Sequence, residues 1–76
     1  MVGDPELTAL GREIRKRREA LGVSQEELAE RSGLHRNYIG GIERGERNVG
    51  IKAIFRLAAA LGVPAWEILR GALPSF

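Results

Sequence analysis

Seventy-six residues make one small domain and leave no room for a second core, so a single domain over 1–76 is expected. Twelve Lys and Arg against ten Asp and Glu give a formal charge of only +2, and the absence of cysteine excludes disulfide stapling and cysteine-held zinc. A chain of this size buries only about 60% of its unfolded surface, which makes self-association a common remedy for modest stability. The lack of cysteine fits a reducing cytoplasm. The start, MVGDPELTAL, has no basic region ahead of an apolar run, so no secretory signal is expected. The longest apolar run, Leu57 to Leu61, falls far short of a membrane span.

In chain order, Asp4-Pro5 has the form of a helix start, with Asp4 as cap and Pro5 in the first turn. Leu7, Leu10, Ile14 and Leu21 then fall on one helical stripe. Arg18 occupies a position on that stripe where an apolar residue is expected. Either its stem covers apolar surface while its head reaches water, or it is partly buried and paired with a carboxylate. Around it lie Arg12, Arg15, Lys16 and Arg17, partly neutralised by Glu13 and Glu19.

Gly22 ends this helix. Ser24, followed by Glu27 three residues on, is a capping-box pattern, and Leu28 and Ala29 give the second helix an inward side. Gly33 follows, where a positive φ ends the helix and turns the chain. Leu34, Ile39 and Ile42 carry the apolar line of a third helix, with His35 placed above it on the inner side. Two short helices joined so closely suit a helix-turn-helix. The polar loop Gly45–Gly50 precedes a fourth helix marked by Ile51, Ile54, Phe55, Ala58 and Leu61 and ended by Gly62. Pro64 begins a short fifth helix with Trp66, Ile68 and Leu69, which Gly71 is expected to stop. No strand alternation appears. The expected fold is an all-α bundle of five short helices.

At 100° per residue, the arc of the third helix opposite Ile39 and Ile42 carries Arg36, Asn37, Gly40, Gly41 and Arg44. Each glycine costs an exposed helix about 1 kcal/mol against alanine. A surface bared in this way would let the backbone approach a partner closely. Arg36 and Asn37 have the chemistry for base edges, a guanidinium for guanine O6 and N7 and an amide for adenine, at the end of the helix that enters a major groove. Candidate base contacts are therefore Arg36, Asn37, Tyr38 and Gly41, Tyr38 being equally readable as a half-buried aromatic. Candidate phosphate contacts are Gln25, at a helix N-terminus that attracts anions, and Arg44, Arg47 and Asn48.

QEELAERSGL, YIGGIERGERN and LAAALGV together resemble the lambda-repressor-like (Cro-type) helix-turn-helix family over almost the whole chain. Within it, YIGGIERGERNV is most similar to the small controller proteins of bacterial restriction–modification systems. The resemblance implies a five-helix DNA-binding domain, usually dimeric, with base contacts from Arg36 and Asn37 assisted by Tyr38 and Arg47. It implies phosphate contacts from Gln25 and Asn48, and a buried salt bridge between Arg18 and Glu43. Gly50 departs from it, standing where relatives often carry a capping Ser or Thr.

The implied partners are a pseudo-palindromic double-stranded operator and a second copy of the chain. Ile51, Ile54, Phe55, Trp66 and Leu69 are the candidates for the dimer seam, although several must also fill the monomer core. Glu26 and Glu27 are candidates for contact with RNA polymerase. No cofactor, metal, membrane or small-molecule ligand is expected. One histidine and no cysteine leave no second residue to complete a metal or nucleophile site, so no enzyme is expected. Two alternatives stand beside the controller: a phage-type repressor, and a protein-interaction module such as an antitoxin or assembly domain.

Overall fold

The computed structural model describes residues 3–72, so the outermost residues of the expected 1–76 domain lie outside the described part. Five helices follow one another: α1 Pro5–Ala20, α2 Gln25–Ser32, α3 Arg36–Glu43, α4 Ile51–Leu61 and α5 Ala65–Ala72. No strand occurs among the described residues. None of these helices is long and apolar enough to cross a membrane.

The helix starts follow from local chemistry. Asp4 Oδ1 accepts from the Glu6 and Leu7 amides at 2.9 and 3.2 Å, with Pro5 in the first turn where no donor is missed. At α2 the box is reciprocal: Ser24 Oγ accepts from the Glu27 amide at 3.0 Å, and Glu27 Oε1 accepts from the Ser24 amide at 3.1 Å. The backbone hydrogen bond from Ser24, with the side-chain one, holds the Glu27 carboxyl below its ordinary pKa. A carboxyl depressed in the folded state contributes stability at pH values above its unfolded pKa, and loses it as pH falls through its folded pKa. Wild type should therefore be more stable than Glu27→Gln at neutral pH. Urea titrations should show the gap closing as pH drops below the usual glutamate range.

The first helix ends in a motif that uses two amides. Gly22, at φ +69°, donates to Glu19 O at 3.0 Å, and Val23 donates to Arg18 O at 3.2 Å. Leu21, expected on the inward stripe, is instead 52% exposed, because the helix stops at Ala20 and Val23 turns back to fill the core. Gly62 closes α4 in the same way, its amide on Ala59 O and that of Val63 on Ala58 O.

Two further placements differ from the sequence expectation. His35 is exposed as the N-cap of α3, its Nδ1 accepting from the Asn37 amide at 3.0 Å. The helical period does not extend back to this cap, whose backbone is extended. Gly71 lies inside α5 rather than ending it. A Cβ there would fall 2.5 Å from Glu13 Oε2, so this glycine makes room for a carboxylate of α1.

Every helix contributes a fully buried side chain: Ile14, Leu28, Ile39 and Ile42, Leu57, and Ile68. Helix α1 holds the bundle together. It crosses α3 at Gly11, where a Cβ would collide with Ile42 O and lie 2.7 Å from Glu43 O, both rigid backbone atoms. Gly11→Ala should therefore cost about 1–3 kcal/mol in a denaturant titration, against the usual gain from replacing a helical glycine. Toward α5, Arg17 bridges buried Glu13 at 2.6 Å and Glu67 at 2.7 Å. Burial disfavours the Arg17 charge, but its two carboxylate partners more than offset this and raise its pKa.

Candidate nucleic-acid interface

The outward surface of α3 depends on what holds the helix from behind. Arg18 of α1 grips Glu43, the last residue of α3, through Nε to Oε2 at 2.7 Å and Nη2 to Oε1 at 3.1 Å. Its third nitrogen donates to Val23 O at 2.8 Å, in the turn before α2. Gln25 Nε2, from α2, donates to the same Glu43 Oε1 at 3.0 Å. One carboxylate thus ties three helices together. The pair is buried, with 12% of the Arg18 side chain and 3% of the Glu43 side chain exposed. The hydrogen bonds to Glu43 raise the Arg18 pKa despite its partial burial.

The structure therefore brings together Arg18 and Glu43, and adds Gln25, for which the sequence suggests only a phosphate contact. Gln25 is half-buried and held by Glu43, so its amide sits at a fixed place at the start of α2. Sequence spacing gave no signal for this bond, because it joins residues of two helices whose crossing was not known.

Arg36 and Asn37 are exposed in the first turn of α3, and Tyr38 is half-buried against the core. Arg36 is also paired: its Nε lies 3.1 Å from Glu26 Oε2 of α2. Arg44, the C-cap of α3, donates to Glu46 at 3.1 Å, while Arg47 and Asn48 are exposed in the following loop.

Gly40 and Gly41 require a correction. Both are buried rather than bare. A Cβ on Gly40 would lie 3.1 Å from Arg44 Nη1, and one on Gly41 2.8 Å from Arg47 Cγ. The glycines make a shallow channel in which the two arginine side chains lie, so Gly41 presents no open surface. The two glycines do face the arc that carries Arg44, as the helical period predicts. Flexible side chains four and six residues on, Arg44 over Gly40 and Arg47 over Gly41, cover that arc.

The apolar candidates also divide. Ile54 is 3% exposed and belongs to the core with Leu57, Ala58 and Leu61, so it is not available for a seam. Ile51 and Phe55 lie one turn apart on the outer side of α4, about 60% exposed each, and Trp66 of α5 is equally open, with Leu69 less so. At about 100° per residue Ile54 is roughly 60° from Ile51 on the side away from Phe55, which is enough to turn it into the core while the other two stay open. No group of three acidic or histidine side chains suited to a metal occurs among the described residues.

Known proteins share this arrangement of helices. The helix-turn-helix family model matches residues 14–65. Control protein C.SmaI of Serratia marcescens is 47% identical over 60 residues, covering 79% of this chain and 71% of its own. The crystal structure of the restriction–modification controller protein C.AhdI from Aeromonas hydrophila superposes with a TM-score of 0.80 at 48% identity, covering 82% of this chain and 94% of that one. The controller protein C.Esp1396I, solved as a tetramer in complex with its natural 35 base-pair operator, gives a TM-score of 0.79 at 37% identity, covering 91% and 96% of the two chains. The chain is therefore a member of the helix-turn-helix family and, within it, groups with the control proteins of restriction–modification systems.

Proposed function

We propose that this chain is a sequence-specific regulator of transcription that binds double-stranded DNA as a homodimer, works in the cytoplasm as a single domain, and controls its own gene and that of a restriction endonuclease. The observation that carries this reading is the pairing of two features on one helix. Arg36 and Asn37 stand exposed at the N-terminal turn of α3, while Glu43 at its other end is fixed to Arg18 and Gln25. A helix held this rigidly can present base-reading side chains in one register.

In the groove, the Arg36 guanidinium would fork onto guanine O6 and N7, and the Asn37 amide would match adenine N6 and N7. Arg47 and Asn48 of the loop, with Arg44, would meet phosphates at one end, and the fixed Gln25 amide at the N-terminus of α2 would meet them at the other. Arg44 and Arg47 would lift from the glycine channel as phosphate replaces Glu46 and the helix surface as their partner. Tyr38, half-buried, would assist at the margin. A contact of Glu26 and Glu27 with RNA polymerase has less support, since Glu27 is engaged in the α2 cap and Glu26 in the pair with Arg36.

Ile51, Phe55, Trp66 and Leu69 form the exposed apolar part of α4 and α5 and suit a seam between two copies. This surface also answers the interaction-module reading, because one face can join protein while the other meets DNA. Phe55→Glu should yield a monomer in sedimentation velocity and weaken operator binding by about 100-fold, as the second half-site no longer binds cooperatively. The reading as a whole is tested by hydroxyl-radical footprinting on the DNA preceding its own gene. Two protected segments about one helical turn apart on one face are expected. No protection, or a single unpaired segment, would move the function toward the interaction module.

A further inference from the structure

The pair between Glu26 and Arg36 is unexplained by stability or by charge attraction to DNA. Both side chains are largely exposed, Arg36 at 52% and Glu26 at 68%, and a pair this open adds little to folding. The acid also stands beside the surface proposed to meet a polyanion, where a carboxylate weakens binding to every sequence alike. Its position is nevertheless specific. Glu26 is the second residue of α2, Arg36 the first of α3, and the close contact runs to Nε, the guanidinium nitrogen nearest the stem. The two terminal nitrogens, whose spacing matches guanine O6 and N7, are left for the base. Glu27, next in the chain, is committed to the Ser24 amide and cannot substitute.

We propose that Glu26 is a specificity-determining positioning residue. It holds the Arg36 guanidinium by its inner edge, so that the outer fork meets a guanine end-on, and it exchanges overall affinity for discrimination. An arginine free of this contact retains its rotamers and can turn to the nearest phosphate, which carries no sequence information. The inference rests on the base-reading role of Arg36 proposed above.

The test measures binding to duplexes carrying the preferred site and to the same duplexes with 7-deazaguanine, which lacks the N7 acceptor, at the Arg36-dependent position. In wild type the ratio of the two dissociation constants should be about 5- to 150-fold. Glu26→Ala should lower that ratio by roughly threefold or more while tightening binding to an unrelated duplex, since a negative charge is removed. In an Arg36→Ala background, the added Glu26→Ala change should leave the ratio where it was. Thermal melting checks that folding is unaltered. An unchanged or increased ratio in Glu26→Ala would overturn the proposal and make Glu26 a mere competitor for Arg36. So would an equal loss of discrimination with and without Arg36. Absence of discrimination in wild type would be a different failure, that of base reading itself, and would remove both.

Discussion

Glu43→Ala should lower the free energy of unfolding by about 3–5 kcal/mol, the cost of stranding a buried arginine. The value belongs to the buried class because only 3% of the Glu43 side chain and 12% of that of Arg18 reach solvent. The substitution strips Arg18 of two hydrogen bonds and Gln25 of its acceptor, leaving donors of two helices, α1 and α2, facing an alanine. Stability in a chain of this size is about 4–11 kcal/mol at 0.05–0.15 kcal/mol per residue, so the variant should be near its unfolding midpoint in mild urea. Far-UV circular dichroism in a urea titration measures this. A second variant separates the charge from the contact. Arg18→Met with Glu43→Leu removes both charges and refills the space, and it should recover most of the loss, as buried pairs replaced by apolar residues commonly do. A cost below about 1 kcal/mol for Glu43→Ala would mean that the ion pair does not lock α1 to α3.

Arg36→Ala should leave folding unchanged and act on DNA alone. Its ion pair with Glu26 is open to solvent and worth about 0–1 kcal/mol. A bidentate arginine–guanine contact is worth about 1–3 kcal/mol of discrimination, and a twofold dimer makes it twice, so operator affinity should fall by about 2–6 kcal/mol. The loss should be confined to the preferred site. Fluorescence anisotropy with cognate and unrelated duplexes at one salt concentration checks both parts. An equal loss on both duplexes would reassign Arg36 to the phosphate backbone.

The elements legible in the sequence were those fixed by local chemistry. Asp4-Pro5, the Ser24–Glu27 box and the turn glycines at 33 and 62 each satisfy or release backbone groups within a few residues, so short spacing was enough to identify them. His35 was misplaced because a cap lies outside the helical period, and Leu21 because the period was carried one residue past the helix end. Gly71 resembled a helix stop, yet the reason for it is Glu13, some sixty residues earlier in the chain. Within the site, Arg36 and Asn37 were visible as exceptional residues on one arc. Their surroundings were not: the Gln25–Glu43 bond, the Glu26–Arg36 pair and the arginines folded over Gly40 and Gly41 all depend on how helices cross and where long side chains come to rest. Ile51 and Ile54 were indistinguishable by composition, and only the orientation of α4 against the core separated the exposed one from the buried one.

The function proposed above depends on the first turn of α3 reading base edges within a symmetric operator. Selection from a library of randomised duplexes, run in parallel with wild type and with Arg36→Ala, tests it most directly. Wild type should return a pseudo-palindrome whose two half-sites each contain a fixed guanine, about one helical turn apart. Arg36→Ala should return the same spacing with that guanine relaxed. Recovery of no symmetric site by wild type, or of the same guanine by the variant, would contradict the account.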